Sequence, residues 1–314
     1  MSHHFIFPTN ENGLILDPAA QTNVEVAMGP PFAFKDVFLY SHGWWTDAIR
    51  AVSGYNRFTI EYSKFFRSQA PLAALETLNM GIHWPSTLTE DEFSLRNYFE
   101  ALSFYTMEKR GDTVGENAVY TLLRLILAAP PPEGRLRIHL LGHSFGCKVV
   151  CRGLERLVDE VGMGQLPAGI SFDLALLQGA FNNDELDPQQ AYGSLTGIPG
   201  MRVLITRSDE DRALQELYPK AHRLARLIGE IKPALGAAGP SAVLAARLGG
   251  ATAVNVGPDF DGRTAVPRAA RLVVADLTRL HRAHPDLAVG LSGHHSDIFH
   301  PELYSLLTGF YFAG

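Results

Sequence analysis

Apolar positions fall into two rhythms along this chain. The first is the short, nearly unbroken run. Residues 136–141 read Leu-Arg-Ile-His-Leu-Leu and residues 36–41 read Asp-Val-Phe-Leu-Tyr-Ser. Further runs lie at 79–84, closed by Pro85, at 172–178, ending before Gly179, and at 201–206. Runs of this length suit strands of a parallel sheet buried on both faces. Residues 271–277 predict another strand whose second half could turn helical. A strand or hairpin is expected near Ile6 and Leu14–Leu16. The second rhythm has a spacing of three and four, as in Cys147, Val150, Cys151, Leu154 and Leu157, which line one face of a helix over 146–160. Helices are also predicted over 55–68, 90–107 and 116–129.

Strands separated by helix-length segments predict an α/β class with a parallel sheet covered on both faces. No internal repeat at a fixed period breaks this order. Between Leu214 and Arg268 the composition shifts to Ala, Gly and Pro. Two short helices are expected there, near 211–231 and 241–248, and then a surface loop over 259–267. The stretches 86–115 and 212–268 are the candidate covers for a substrate site within one domain spanning 1–314.

Composition narrows the classes. Hydrophobic residues make up 46% of the 314 residues and charged ones 19%, which suits a packed core. A net charge of −6 without a basic run gives no electrostatic case for nucleic acid. The start lacks a positive region followed by an apolar one, so no signal peptide is expected. No apolar stretch is long enough to predict a membrane span, and a cytoplasmic enzyme is the expectation. Cys147 and Cys151, four apart on one predicted helix, read as small buried residues.

The strand at 136–141 leads into Gly142-His143-Ser144-Phe145-Gly146, which is G-x-S-x-G between a strand and a helix. In such a turn the glycines let the backbone bend sharply, and the serine sits strained with its hydroxyl presented for attack. A serine hydroxyl is a weak nucleophile at neutral pH; it needs an imidazole to take its proton and a carboxylate to orient that imidazole.

For the carboxylate, the strand at 201–206 is followed by Asp209, Glu210 and Asp211. Asp211 is preferred because it stands at the mouth of a helix with apolar residues behind it, where backbone N–H groups can fix it. Asp209 and Glu210 are alternatives. For the base, Gly293-His294-His295-Ser296-Asp297 precedes a terminal helix; His295 is preferred and His294 is the alternative. A metal reading of His294, His295, Asp297 and His300 lacks a second ligand cluster. The negative charge forming on an attacked carbonyl also needs donors, and losing one typically costs on the order of 3 kcal/mol of barrier. The Phe145 N–H at the helix start and the Trp44 N–H in the turn Ser41-His42-Gly43-Trp44-Trp45 are assigned that work.

These residues together resemble the α/β-hydrolase superfamily, over roughly residues 34–310. The resemblance implies a mostly parallel, doubly wound sheet of about eight strands flanked by helices. It also implies a serine esterase or lipase-like hydrolase of carboxylic esters. Ser144 would be the nucleophile, His295 the base and Asp211 the acid. His42, Gly43, Trp45 and His143 would contact substrate. Trp44, Trp45 and Phe145 would line an entrance favouring apolar acyl groups, and no metal or organic cofactor is implied. Thioester or amide cleavage, cofactor-free lyase or transferase chemistry, and a non-catalytic binding module are the rival readings. One departure is that the larger insert follows the acid rather than the strand ending near Gly179.

Overall fold

The fold is described from a computed structural model; the described residues are 2–29, 34–43, 48–69, 72, 75–86, 96–129, 134–162, 165–225 and 232–312. Eight strands form one sheet: β1 (Ser2–Pro8), β2 (Asp36–Ser41), β3 (Thr77–His83), β4 (Leu136–His143), β5 (Ile170–Leu177), β6 (Arg202–Arg207), β7 (Thr252–Asn255) and β8 (Leu272–Asp276). Their spatial order is β1-β3-β2-β4-β5-β6-β8-β7, and every pairing is parallel.

The helices are α1 (Ala20–Met28), α2 (Ala48–Ser68), α3 (Arg96–Val114), α4 (Tyr120–Ala128), α5 (Gly146–Val161) and α6 (Tyr218–Ala225). Shorter ones follow: α7 (Leu235–Ala238), α8 (Ala242–Arg247), α9 (Gly262–Ala265) and α10 (Thr278–Ala283), then the terminal α11 (Pro301–Phe312).

Alternation along each strand divides the core into two layers. Val37, Leu39, Ile138, Leu140, Leu174 and Leu176 face one way, towards α1, α3, α4 and α5. Phe38, Tyr40, Leu141, Ala175 and Leu177 face the other way, towards α2 and α11. Cys147, Val150, Cys151, Leu154 and Leu157 are all buried, so the apolar face of α5 lies in the core; both cysteines are free thiols.

Several expectations need correction. The strand expected near Ile6 is present as β1, an edge strand parallel to β3, but the hairpin alternative is not, since the return past Leu14 makes only an isolated antiparallel bridge between Thr9 and Ile15. The helices expected at 90–107 and 116–129 are one helical run, α3 and α4 joined through a π-helical turn at Gly115–Val119. The supposed surface loop at 259–267 contains α9, whose Gly262 N–H donates to Ser305 Oγ on α11 at 2.8 Å. Neither β7 nor α1 was anticipated.

Parts of the two candidate covers belong to the core and to the sheet. In the first, Phe104, Met107 and Val114 of α3 are buried within the core layer, while 87–95 fall outside the described residues. In the second, 252–255 is β7 and pairs with β8. Its residues 226–231 lie outside the described residues.

Candidate active site

All eight parallel strands direct their carboxyl ends to one edge of the sheet, the usual place for ligands in an open α/β sheet, and five of them lead to the site residues. β2 leads to His42-Gly43, β4 to Ser144, β5 to Gln178 and β6 to the loop 208–211. β8 leads through α10 to the loop holding His294 and His295.

Ser144 lies in the turn between β4 and α5 with φ of +55°, in the left-handed region that side chains with a Cβ rarely occupy. The flanking glycines are sterically required. A Cβ on Gly146 would lie 2.1 Å from the carbonyl oxygen of Ser41, and one on Gly142 would lie 2.5 Å from the Cα of Cys147. Three backbone hydrogen bonds hold the strained residue. The Ser144 N–H donates to Leu177 O at 3.0 Å, and Ser144 O accepts from Cys147 at 3.1 Å and Ala180 at 3.2 Å. Gly43 presses on the same residue, since a Cβ there would come within 2.6 Å of Ser144 Cβ.

His295 Nε2 lies 2.7 Å from Ser144 Oγ, and its Nδ1 lies 2.8 Å from Asp211 Oδ2. An ionised carboxylate only accepts, so the proton of the neutral ring belongs on Nδ1. Nε2 is then left as an acceptor for the serine O–H. Asp211 is fully buried, and its Oδ1 accepts from the Leu214 N–H at 3.1 Å. Gln178 Nε2 donates to Asp211 Oδ2 at 3.1 Å and to the carbonyl of His294 at 2.9 Å.

The alternatives lie elsewhere. The side chain of Asp209 is 54% exposed and 3.7 Å from Arg207. Glu210 pairs with Arg282 at 2.6 Å. His294 Nδ1 pairs with Asp297 Oδ2 at 3.0 Å, and its ring stacks on His281 with centroids 4.8 Å apart. Asp297 gives its other oxygen to His300 Nε2 at 2.7 Å. Among the described residues no group of three or more histidines, cysteines and carboxylates is arranged to hold a metal ion.

His143 and His42 face protein rather than open space. Burial, reinforced by the neighbouring His295, lowers the His143 pKa to about 4, so the ring is neutral near pH 7. Its Nε2 therefore donates to the His295 carbonyl at 2.7 Å, tying the base's backbone to the residue before the nucleophile. Burial lowers the His42 pKa to about 3. Its Nδ1 contacts the Gly43 carbonyl at 2.8 Å, its Nε2 accepts from the Trp84 N–H at 3.3 Å, and its ring stacks on Trp84. His42 thus shapes the turn; both nitrogens are already engaged. The Phe145 ring is 1% exposed and set edge-on to Phe104, so it forms part of the core rather than an open entrance. Its backbone caps the start of α5. Trp44 and Trp45 lie outside the described residues.

Gln178 did not stand out in the sequence. An amide at the last position of an apolar run has no periodic signal; its only mark is its place beside Gly179 at a strand's carboxyl end.

A family model described as an alpha/beta hydrolase of unknown function (DUF900) matches residues 49–246, more than half of the chain. The chain belongs to this alpha/beta hydrolase family. The matched region of the hydrolase contains Ser144, Gln178 and Asp211, while His42-Gly43 and His295 lie outside it. No curated protein and no solved structure matches the chain. Among the described residues no helix is long and apolar enough to cross a membrane.

Proposed function

We propose that this alpha/beta hydrolase is a serine hydrolase cleaving carboxylic esters through an acyl-enzyme on Ser144. The observation that carries the reading is the unbroken chain Ser144 Oγ, His295 Nε2, His295 Nδ1 and Asp211 Oδ2, with links of 2.7 and 2.8 Å. His295 takes the serine proton as Oγ bonds to the ester carbonyl carbon. The Phe145 N–H, next to the nucleophile at the start of α5, supports the negative charge that forms on the carbonyl oxygen; the Trp44 N–H is the proposed second donor. When the carbonyl re-forms, the alcohol leaves with the proton from His295. Water then attacks the acyl carbon, giving a proton to the same nitrogen; the bond from that carbon to Ser144 Oγ breaks, Oγ takes the proton back from His295, and the acid is released.

Asp211 acts through orientation and charge. It keeps the Nδ1 proton in place and stabilises the imidazolium formed at each transfer. Its burial and its donors from Leu214 and Gln178 hold it as an acceptor. An apolar acyl group is the proposed preference, resting on the aromatic residue types Trp44 and Trp45 next to the His42-Gly43 turn in the sequence.

The test is a panel of nitrophenyl esters of increasing acyl length, run beside Ser144→Ala. The variant is expected to lose on the order of 10⁴-fold in kcat or more. A fluorophosphonate is expected to form an adduct on Ser144 of the parent. A Ser144→Ala protein that hydrolyses the esters as fast as the parent overturns the reading, and a parent with no adduct overturns it in favour of a binding module on this fold.

A further inference from the structure

Gln178 combines three features that the stability of the fold does not call for. It is wholly buried, and its φ of +47° is strained for a residue with a side chain. Its Oε1 has no hydrogen-bond partner among the described residues. An apolar side chain would fill this interior position without stranding a carbonyl oxygen. The compensating gain lies on the Nε2 side. One NH₂ group reaches both Asp211 Oδ2 and the carbonyl of His294, the residue before His295. These acceptors belong to separate loops, after β6 and after α10, and the backbone that aims the amide is pinned by the Gln178 N–H donating to Thr206 Oγ1 at 2.9 Å.

Resting on the triad reading above, we infer that Gln178 is a positioning residue for that triad: its amide clamps the acid to the loop of the base. The Oδ2 it contacts is the same oxygen that accepts from His295 Nδ1. The amide therefore draws off part of the negative charge that the imidazolium would otherwise feel. Removing the amide loosens the His294–His295 backbone and strengthens the pull of Asp211 on the His295 proton. The base is then worse placed and more often already protonated. The other groups bearing on this site are Ser144 and His143 at the end of β4, and His281 of α10, whose pKa burial lowers to about 4.

The readout is the rate at which a fluorophosphonate labels Ser144, measured from pH 5 to 9 in the parent, Gln178→Met, Gln178→Glu and Ser144→Ala. Gln178→Met is expected to label about 10- to 100-fold more slowly at pH 7. The acidic limb of its profile should move to higher pH by about half a unit or more. A merely structural role would not move that limb. Gln178→Glu keeps the shape and serves if the methionine variant does not fold. Its labelling should turn down at alkaline pH, where a second carboxylate repels Asp211, giving a bell in place of a plateau. Parent-like rates and limbs in the variants that fold, beside a labelled parent and an unlabelled Ser144→Ala, overturn the role of Gln178 alone. No adduct on the parent overturns the triad reading and the inference with it.

Discussion

Asp209 and Asp211 stand two residues apart on one loop, yet only one reaches the imidazole. Asp211 sits inside the protein with its carboxylate held by Leu214, Gln178 and His295, while Asp209 points outward beside Arg207. On the proposed mechanism, Asp211→Asn should cost on the order of 10⁴-fold in kcat, because an amide at this position no longer enforces the Nδ1 proton. Asp209→Asn should stay within about twofold of the parent, as exposed charges contribute little. Ester kinetics on both variants check this, and the opposite pattern would move the acid to Asp209. The sequence could point to the inner carboxylate because a helix mouth with apolar residues behind it turns one residue inward. The glycines of the elbow were legible for a similarly local reason, since nothing larger fits the turn. The work of His42, His143 and Gln178 was not. The Trp84 N–H that His42 meets, the His295 carbonyl that His143 meets, and the Asp211 carboxylate and His294 carbonyl that Gln178 meets all lie more than thirty residues away in the chain, and no spacing encodes that.

At the scale of elements, the buried strands were readable because both faces of their positions are apolar. The edges were not. β7 is four residues long with a largely exposed burial pattern, so it lacks the unbroken run that marks β4 or β5. The joining of α3 to α4 also escaped, because a π turn shifts the helical register and blurs the three-four spacing. That turn has a packing reason. Gly115, at its start, lies against α5 so closely that a Cβ would come within 2.5 Å of Val149 O, and a Cβ on Gly153 of α5 would lie 2.3 Å from a methyl of Val119. The two helices approach backbone to backbone, with Gly153 as the space that admits Val119. Gly153→Ala should therefore destabilise the protein by about 1–3 kcal/mol through overpacking, despite the better helix propensity of alanine. A urea unfolding midpoint reads this directly. An alanine variant at least as stable as the parent would show that the crossing has slack and that the π turn has some other cause.

Across the whole molecule, the sheet carries its reactive groups at one end and a buried ion network at the other. Asp36, near the start of β2, contacts Arg137 at 2.7 Å and His139 at 2.9 Å, and the other ring nitrogen of His139 lies 3.0 Å from Asp173. Three adjacent strands are thus joined by charge away from the elbow. Burial alone would lower the His139 pKa, but the nearby charges of Asp173 and Asp36 and the hydrogen bond to Asp36 outweigh it and raise the pKa above 6.5. Burial would raise the Asp36 pKa, but His139 and Arg137 draw it below 3.8. The signs follow from linkage. The stability due to His139 is complete below pH 6.5 and is lost as the pH climbs through the raised folded value, while that due to Asp36 is complete above pH 3.8 and is lost as the pH falls through the lowered one. The histidines lowered by burial (His4, His42, His143 and His281) act on the acidic side of 6.5 and are silent above it. Burial holds the Cys147 and Cys151 thiols well above their ordinary value, so they add a decline of their own only where thiols ionise in the unfolded chain; the window from pH 6.5 to about 8 reads His139 among the described groups. The unfolding midpoint of the parent should decline as the pH rises from about 6.5 to 8, and His139→Gln should be less stable at the lower pH with a flatter decline. Parallel slopes in the two proteins would mean that the imidazole sits neutral between its carboxylates. Arg137 would then be the charged partner of Asp36, with the imidazole offering at most a neutral hydrogen bond.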